Sequence, residues 1–456
     1  MEAVHSHRSL HVEPRVMGLG ILGLGTVGCG VVKALRTQAE SIAHTGWRPE
    51  IKRILVRDIE KPRQVQVDRT LLTHDAQVVV HDPDIQVLIE VIGGIEPART
   101  CITEALLAGK HVITANKELL AKHGDELMTL ARRQGVRLLF EASVAGGIPI
   151  VHMVEAYLTA NRILAIRGIL NGTCNYILTK MEEQGLTFAE ALYNAQELGY
   201  AEADPESDIE GYDAAYKLCI LANLAFSQQT PITAVKRSGI TTLAPIDLRM
   251  AKQFGTALKL IGIARLVDGR PELEVGLRFL AQGDALASVR DVFNAVTLTA
   301  DVVGDLTFIG RGAGELPTAS AVIEDLMEVL RAPNVPVRSA VQSRHDTDRA
   351  DAPGVIRAPH QDTTRTPLLY VRLRVKGNEP TAEHDALQAL WREEVRCGFL
   401  ETHATGAEVC DVIAILQDAD AYSAERLAHV VGGKVEFTAP FDAPLPSVRS
   451  RVTMMS

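Results

Sequence analysis

The residues best suited to chemistry in this sequence are an acidic run and a lysine that follows it. The run holds Glu202, Asp204, Glu206, Asp208, Glu210 and Asp213. Asp213 and Lys217 are four residues apart, so on a helix they share one face with Ile220 and Leu224. A lysine buried on such a face beside a carboxylate is a candidate acid and base. From the spacing alone, a simple ion pair and a solvated acidic loop remain open.

Calcium binding is another alternative for the acidic run. An EF-hand loop starting at Asp204 would need glycine at its sixth position and glutamate at its twelfth. Those positions hold Ile209 and Ala215. The calcium interpretation is therefore excluded.

A glycine-rich turn near the N-terminal end has the spacing of a dinucleotide-binding loop. The GxGxxG motif follows a predicted strand and opens a predicted helix. Gly23 permits the tight turn, Gly25 lets a pyrophosphate approach the main chain, and Gly28 lets helix and strand pack closely. The first N–H groups of the helix, at Thr26 and Val27, would hold the anion.

Four residues that follow the second predicted strand bear on the choice of dinucleotide. A carboxylate at Asp58 would take the ribose hydroxyls of NAD, whereas Arg57, Lys61 and Arg63 could hold the 2′-phosphate of NADP. Asp58 lies further beyond Gly28 than the usual spacing of about 20 residues. The sequence leaves NAD and NADP open.

The run Ala195–Lys217 resembles the signature of homoserine dehydrogenases. It fits the pattern A-x3-G-aromatic-small-x2-D-P-x2-D-aliphatic-x-G-x-D-x3-K at every constrained position. Other segments that agree are the glycine turn, 115–117, 141–149, 168–178 and 310–322. The resemblance covers residues 15–335. It implies reversible NAD(P)-dependent interconversion of L-homoserine and L-aspartate 4-semialdehyde, in threonine and methionine biosynthesis.

The resemblance also implies a role for individual side chains. Lys217 would be the acid and base on the substrate oxygen, with Asp213 orienting it. Asp208 and Asp213 would fix the substrate, and Glu202 would hold its amino group. Lys117 would lie between cofactor and substrate as a second proton carrier, unless it merely caps the next helix.

Two glycine-containing segments gain a function through the same resemblance. The loop that starts at Asn171, with Gly172 and Thr173, would face the substrate. Gly312 and Gly314 would lie close to the nicotinamide. These assignments do not follow from spacing.

The resemblance also implies a monovalent cation, whose role would be structural. By the resemblance, the ligands of this ion would be the Glu141 carboxylate and the main-chain carbonyls of Val144, Gly146 and Ile148, and the ion would be sodium. One carboxylate and several carbonyls suit a hard, weakly charged ion. Without the resemblance, the stretch is a strand-to-helix turn.

Two rival functions remain open on the sequence. Cys174 could be the thiolate nucleophile of a semialdehyde dehydrogenase, which would need a histidine nearby in space. The sequence has no histidine between His152 and His345, which counts against that enzyme. The other rival is a non-catalytic nucleotide and amino-acid sensor.

The elements that must position these residues predict an α/β protein. Strands and helices alternate over 15–148, which is typical of a Rossmann doubly wound parallel sheet. We expect residues 312–335 to return to this dinucleotide-binding domain. Residues 149–311 should form an α+β substrate and dimerisation domain, with a long helix over 149–160.

The C-terminal part is expected to form a separate domain. Residues 1–14 are a predicted disordered tail and 341–366 a predicted linker. Residues 367–440 have the βαββαβ order of an ACT-like domain, which often binds an amino-acid effector. Since the usual Asp-x-x-Gly turn is not evident at 376–380, threonine regulation and pure packing or dimerisation are both open.

Composition limits the possible partners and compartments. The 456 residues carry a net charge of −10 and only 4% aromatic residues, which argues against nucleic acid. No stretch approaches about 18 apolar residues, so no membrane span is expected. Six scattered cysteines without a CxxC pair favour a reducing cytoplasm. We expect a homodimer or homotetramer.

Overall fold

The computed structural model describes residues 14–332, 367–392, 395–406 and 408–444. The predicted tail, apart from Pro14, and the predicted linker 341–366 lie outside the described residues. The described chain falls into two compact units, one of 14–155 with 313–332 and one of 156–312 with 367–444.

The described residues form the following strands and helices. The strands are β1 (Arg15–Leu22), β2 (Trp47–Leu55), β3 (Leu72–Thr73), β4 (Val87–Glu90), β5 (His111–Thr114), β6 (Leu138–Leu139), β7 (Ile163–Ile169), β8 (Lys236–Arg237), β9 (Thr256–Val267), β10 (Arg270–Ala281), β11 (Phe293–Ala300), β12 (Gly304–Arg311), β13 (Leu368–Lys376), β14 (Arg396–Gly406), β15 (Val409–Gln417) and β16 (Lys434–Asp442). The helices are α1 (Thr26–Thr37), α2 (Ala39–Ala43), α3 (Ala76–Val80), α4 (Ala98–Leu107), α5 (Lys117–Gln134), α6 (Ile150–His152), α7 (Gly172–Gln184), α8 (Phe188–Glu197), α9 (Glu206–Ile209), α10 (Tyr212–Phe226), α11 (Pro245–Gln253), α12 (Glu315–Arg331), α13 (Glu379–Arg392) and α14 (Ala421–Val430).

The first unit contains the predicted Rossmann-type sheet. Its strand order is β3-β2-β1-β4-β5-β6, and every neighbouring pair is parallel. The central strand β1 is a nearly continuous buried apolar run, because helices cover both faces of a parallel sheet. The sequence prediction of this fold is confirmed.

Helix α12 completes the first unit by packing on α1. A Cβ added at Gly30 would lie 2.5 Å from the carbonyl oxygen of Glu315, so only glycine permits this close approach. Lys33 and Glu315 form an ion pair of 2.6 Å beside it. The return of the chain to this unit is thus fixed by α1, the helix that follows the glycine turn.

The second unit is built on a mixed sheet. Its strand order is β12-β11-β7-β9-β10-β16-β13-β15-β14, with β8 beside β10. Strands β7 and β9 were not predicted.

The helix predicted over 149–160 is shorter than expected. Helix α6 ends at His152, a π-helical turn covers Met153–Tyr157, and a 3-10 turn covers Leu158–Ala160.

The C-terminal residues have the predicted βαββαβ order, with β16 and β15 on either side of β13. Their sheet does not stand alone. Strand β16 pairs in parallel with β10 at Phe279↔Phe441 and Leu280↔Asp442, and the Phe279 ring lies 4.5 Å from that of Tyr370. The C-terminal strands therefore extend the sheet of the substrate region, and their identification as ACT-like stays a prediction. Within the described ranges, no helix is long and apolar enough to cross a membrane.

Candidate active site

Helix α10 carries the lysine and carboxylate that the sequence singled out. It begins after Gly211, whose φ of +79° is the left-handed conformation that glycine adopts without strain. Lys217 Nζ donates to Asp213 Oδ2 at 2.7 Å and to the Leu170 carbonyl at 2.9 Å. Lys217 is 7% exposed and Asp213 2% exposed. The pair is therefore buried, and the lysine does not extend to solvent.

Asn171 joins the two aspartates of the acidic run. Its Oδ1 accepts the Cys174 N–H at 2.7 Å and so caps α7. Its Nδ2 donates to Asp208 Oδ1 at 2.7 Å and to Asp213 Oδ2 at 2.9 Å. One amide thus fixes the start of α7 and both carboxylates. Sequence reasoning placed Asn171 in a substrate loop but missed this bridging function.

Asn294 is a second functional candidate that sequence reasoning missed. It is fully buried in β11, and its Nδ2 donates to the Leu170 carbonyl at 3.0 Å. Its Oδ1 has no hydrogen-bond partner among the described residues. A Cβ added at Gly312 would lie 2.0 Å from Asn294 Cγ, so glycine is required there by this amide. The available signal was a lone asparagine in an apolar strand.

The other substrate-side predictions have different surroundings. The Thr173 hydroxyl donates to the Tyr200 carbonyl at 2.6 Å. A Cβ at Gly172 would lie 2.7 Å from the Val292 carbonyl, so that glycine lets the loop approach the residue that precedes β11. Glu202 is exposed, and among the described residues its carboxylate is not part of the buried hydrogen-bonded group.

Cys174 lies beside this group as a buried thiol. Its Sγ donates to the Asp208 carbonyl at 3.2 Å. Burial raises the pKa of the Cys174 thiol well above its usual value, and the carboxylate of Asp208 raises it further. A neutral thiol that already donates a hydrogen bond is a poor nucleophile. The geometry does not favour a cysteine-dependent dehydrogenase.

The glycine turn in the first unit has the form that a pyrophosphate needs. Gly23 has φ of +106°, and a Cβ there would lie 3.0 Å from the Val91 carbonyl. A Cβ at Gly28 would lie 2.2 Å from the Gly23 carbonyl, whereas no atom lies within 4 Å of one at Gly25. Helix α1 starts at Thr26 without a side-chain cap, so its first N–H groups, including that of Val27, are available to an anion.

The polar residues that follow β2 differ in the hydrogen bonds that they make with the rest of the protein. Asp58 Oδ1 accepts the N–H groups of Glu60 at 2.8 Å and Lys61 at 3.2 Å. The Arg63 guanidinium donates to the Lys61 carbonyl at 2.8 Å. Arg57 is exposed and makes no hydrogen bond or ion pair with any residue in the described part of the chain. The carboxylate thus shapes its own turn, whereas the Arg57 guanidinium is not committed to another described residue.

Lys117 and Gly314 stand at the starts of two helices. Lys117 is the first residue of α5, but Asn116 is the cap, since its Oδ1 accepts the Leu119 N–H at 3.1 Å. The alternative in which Lys117 only caps the helix is therefore not supported. Gly314 precedes α12 with φ of +128°, a conformation that side chains rarely adopt.

Glu141 lies in a strand-to-helix turn and is 5% exposed. Its Oε1 accepts the Val151 N–H at 2.9 Å and its Oε2 accepts the His152 N–H at 2.7 Å. Burial raises the pKa of the Glu141 carboxyl to about 7. Both carboxylate oxygens therefore already serve the start of the following helix.

The adjoining turn is the rest of the predicted cation set. Ala145 and Gly146 have φ of +54° and +53°, and the Ile148 carbonyl accepts the Ile150 N–H at 2.8 Å. Within the described residues, no cluster of three or more His, Cys, Asp or Glu side chains could hold a metal ion. Oxygen-only donors suit a hard monovalent ion, but both Glu141 carboxylate oxygens already accept main-chain N–H groups.

Comparisons with known proteins point to one family. A family model described as homoserine dehydrogenase matches residues 149–327, and one described as its NAD-binding domain matches residues 23–141. The homoserine dehydrogenase of Bacillus subtilis is 44% identical over 318 residues, which cover 70% of this chain and 73% of that protein. That of Mycobacterium tuberculosis is 37% identical over 388 residues, which cover 80% and 88%.

Solved structures agree with the sequence comparisons. The structure of a homoserine dehydrogenase from Thiobacillus denitrificans has a TM-score of 0.78 and 35% identity, and covers 94% of this chain and 98% of its own. A hyperthermophilic archaeal homoserine dehydrogenase in complex with NADPH has a TM-score of 0.59 and 26% identity, and covers 69% and 97%.

Proposed function

This chain belongs to the homoserine dehydrogenase family, and we propose that Lys217 and Asp213 carry out the proton transfer of its reaction. That reaction is the NAD(P)-dependent interconversion of L-homoserine and L-aspartate 4-semialdehyde. The observation that supports this assignment is the buried contact of 2.7 Å between Lys217 Nζ and Asp213 Oδ2.

The hydrogen bonds of the Lys217 ammonium leave one of its N–H groups for the substrate. A lysine ammonium has three N–H donors. Asp213 and the Leu170 carbonyl receive two of them, so the third is available to the substrate oxygen. In the reduction, Lys217 gives a proton to the developing alkoxide, and in the oxidation its neutral amine takes the hydroxyl proton.

The dinucleotide, when bound, supplies or accepts the hydride. The main chain at Gly23, Gly25 and Gly28 and the first N–H groups of α1 would hold its pyrophosphate. Gly312 and Gly314 remain candidates for contact with the nicotinamide. Lys117 stays a second candidate for proton transfer.

The carboxylates near Lys217 suit the charge of the substrate. L-Homoserine carries an ammonium, and a carboxylate-lined pocket recognises it. Asp208 is fixed by Asn171 and would hold this ammonium together with Glu202, with Gly172 and Thr173 lining the loop. Glu202 is exposed, so its carboxylate would join that of Asp208 only when the substrate ammonium lies between them.

The engaged Asp58 and the unpaired Arg57 favour NADP over NAD. A 2′-phosphate is recognised by a cation and repelled by a free carboxylate. Asp58 is occupied by its own turn, while Arg57 and Lys61 are exposed. We therefore assign the 2′-phosphate to Arg57, with Lys61 beside it.

Three coarser assignments complete the proposal. A structural sodium ion would be held by the carbonyls of Val144, Gly146 and Ile148, with Glu141 supporting the turn. A homodimer or homotetramer is expected. An amino-acid effector would bind at the C-terminal strands by contacts other than the usual Asp-x-x-Gly turn, which is not evident at 376–380.

The direction of the dinucleotide change with L-aspartate 4-semialdehyde tests the function against its nearest rival. A homoserine dehydrogenase consumes NADPH with this aldehyde and forms L-homoserine. A cysteine-dependent semialdehyde dehydrogenase would form NADPH from NADP⁺ and the same aldehyde. We expect consumption of NADPH, and the formation of NADPH from the aldehyde would contradict the assignment. Binding of NADPH without turnover in either direction would instead indicate a sensor.

A further inference from the structure

The loop that carries Asp208 and Asp213 is supported from outside by residues 237–247. The Ile240 N–H donates to the Ile209 carbonyl at 2.8 Å. A Cβ added at Gly239 would lie 2.2 Å from that same carbonyl, so the two main chains are in direct contact. A shift of this supporting segment must therefore shift the loop.

Side chains reinforce this contact. The Thr241 hydroxyl donates to Glu210 Oε1 at 2.9 Å. The Arg237 guanidinium donates to the Glu210 carbonyl and lies over the Tyr212 ring at 3.5 Å from its centre. The supporting segment thus holds the loop at the positions between the two aspartates that the mechanism uses.

Arg372, on the C-terminal strand β13, holds the opposite side of the supporting segment. Its Nη2 donates to the Thr242 carbonyl at 3.0 Å, and its Nε donates to Asp247 Oδ1 at 3.0 Å. The Tyr370 hydroxyl donates to the same Oδ1 at 2.9 Å. Arg372 is 2% exposed and Asp247 is fully buried.

A buried guanidinium of this kind fixes geometry more than it adds stability. Its planar fork reaches two acceptors at once, which a lysine cannot reproduce. A buried ion pair contributes little net stability compared with an apolar replacement, because desolvation offsets the attraction. Here the fork sets the distance between Thr242 and Asp247. Strand β13 pairs with β16, and β16 pairs with β10, which also carries β8 with Arg237, so the arginine and the supporting segment are attached to one continuous sheet.

We propose that Arg372 is a positioning residue for the reaction: through the supporting segment 237–247 it holds the substrate loop 208–213 in the geometry that binds the amino acid. The inference rests on the proposed function of Asp208 and Asp213. It assigns to the C-terminal strands a direct effect on substrate binding that needs no effector. Dinucleotide binding is not expected to depend on Arg372.

Steady-state kinetics of L-homoserine oxidation by the full chain test this inference. Arg372→Lys keeps the charge but loses the fork, and should raise KM for L-homoserine about fivefold with KM for NADP⁺ unchanged. Thr241→Val removes an exposed hydrogen bond of the same support and should raise it about twofold to threefold. The double variant should be no worse than Arg372→Lys alone, because both changes act through one segment.

Arg396→Lys is the matched control, since Arg396 is an exposed arginine at the start of the C-terminal strand β14, whereas Arg374 shares the Asp411 carboxylate with Arg372. This control should leave both KM values unchanged. An unchanged KM for L-homoserine in folded Arg372→Lys, an equal rise for both ligands, an equal effect of the control, or multiplied effects in the double variant would overturn the proposal. If Arg372→Lys does not fold, Tyr370→Phe, which removes the other β13 hydrogen bond to Asp247 Oδ1, decides by the same comparison of KM values: an unchanged KM for L-homoserine would overturn the proposal. Loss of turnover in Lys217→Ala tests the proposed function separately, so the two failures are distinguishable.

Discussion

Lys217 and Asn294 donate to the same acceptor, the main-chain carbonyl of Leu170, at 2.9 Å and 3.0 Å. The asparagine fixes the direction of that carbonyl, and the carbonyl in turn fixes the ammonium. The orientation of the candidate acid therefore depends on a strand residue that has no charge of its own.

Replacing Asn294 by leucine should lower kcat without unfolding the protein. Leucine fills a similar volume and removes the unpaired Oδ1, so stability should change little. The Leu170 carbonyl then loses one of its two donors, so the orientation of the Lys217 ammonium is less restricted. We therefore expect kcat to fall about tenfold while KM stays nearly constant. Asn223→Leu, which removes a half-buried amide bonded to the Thr230 carbonyl, is the control. Equal kcat values for the two variants would contradict this role.

Cys174→Ser should retain turnover. The thiol is buried and donates to the Asp208 carbonyl, a bond that a serine hydroxyl can replace. We expect kcat within about threefold of the wild type, whereas loss of a covalent nucleophile would cost several orders of magnitude. Iodoacetamide at neutral pH should also leave the enzyme active. A folded variant without measurable turnover would restore the cysteine mechanism.

Arg57→Ala should change the choice of dinucleotide. Removal of the cation facing the 2′-phosphate should raise KM for NADPH about tenfold while KM for NADH stays nearly constant. Arg48→Ala, at an exposed arginine within β2, should have no such effect. The ratio of the two KM values in each variant is the measurement. An equal change for NADPH and NADH would show that Arg57 does not contact the phosphate.

Lys259 should make stability depend on pH in an alkaline window. Its Nζ donates to Asn175 Oδ1 and to the Val289 carbonyl, and burial lowers its pKa from 10.5 to about 8, with Arg290 lowering it further and Glu182 opposing. The unfolded chain binds the proton more tightly, so the free energy of unfolding should rise between pH 8 and 10.5. That gain amounts to about 3 kcal/mol.

Urea unfolding of Lys259→Met across this pH range checks the assignment. The difference between wild type and variant isolates the lysine from other groups that titrate there. The variant should lack the rise, whereas Lys236→Met, at an exposed lysine of β8, should keep it. Parallel pH curves for the wild type and Lys259→Met would refute the assignment.

The parallel sheet and the glycine turn could be predicted because both depend on local patterns. Buried strands such as β1 are continuous apolar runs, and Gly23 to Gly28 satisfy steric requirements visible in the sequence. Asp213 and Lys217 could be paired because one helix sets their spacing. The 23-residue run Ala195–Lys217 then supplied the family.

The remaining contacts could not be predicted because they join residues distant in sequence. The Leu170 carbonyl meets Asn294 across 124 positions, and no local pattern marks that pairing. Arg372 and Asp247 look like surface charges on a strand and a helix, yet they are buried together. Strand β16 meets β10 through only two residue pairs, too short a contact for the apolar pattern to register.

The reaction of the Lys217→Ala variant tests the central claim most directly. Formation of NADPH from L-homoserine and NADP⁺ should fall by about a thousandfold or more with the fold intact, because the proton acceptor is gone. Methylamine added to the variant should restore part of kcat, because its neutral form can accept the hydroxyl proton. The restored activity should increase with pH as the unprotonated fraction of methylamine increases. Turnover equal to the wild type, or a loss that no amine relieves in a variant that still binds both ligands, would contradict proton transfer by Lys217.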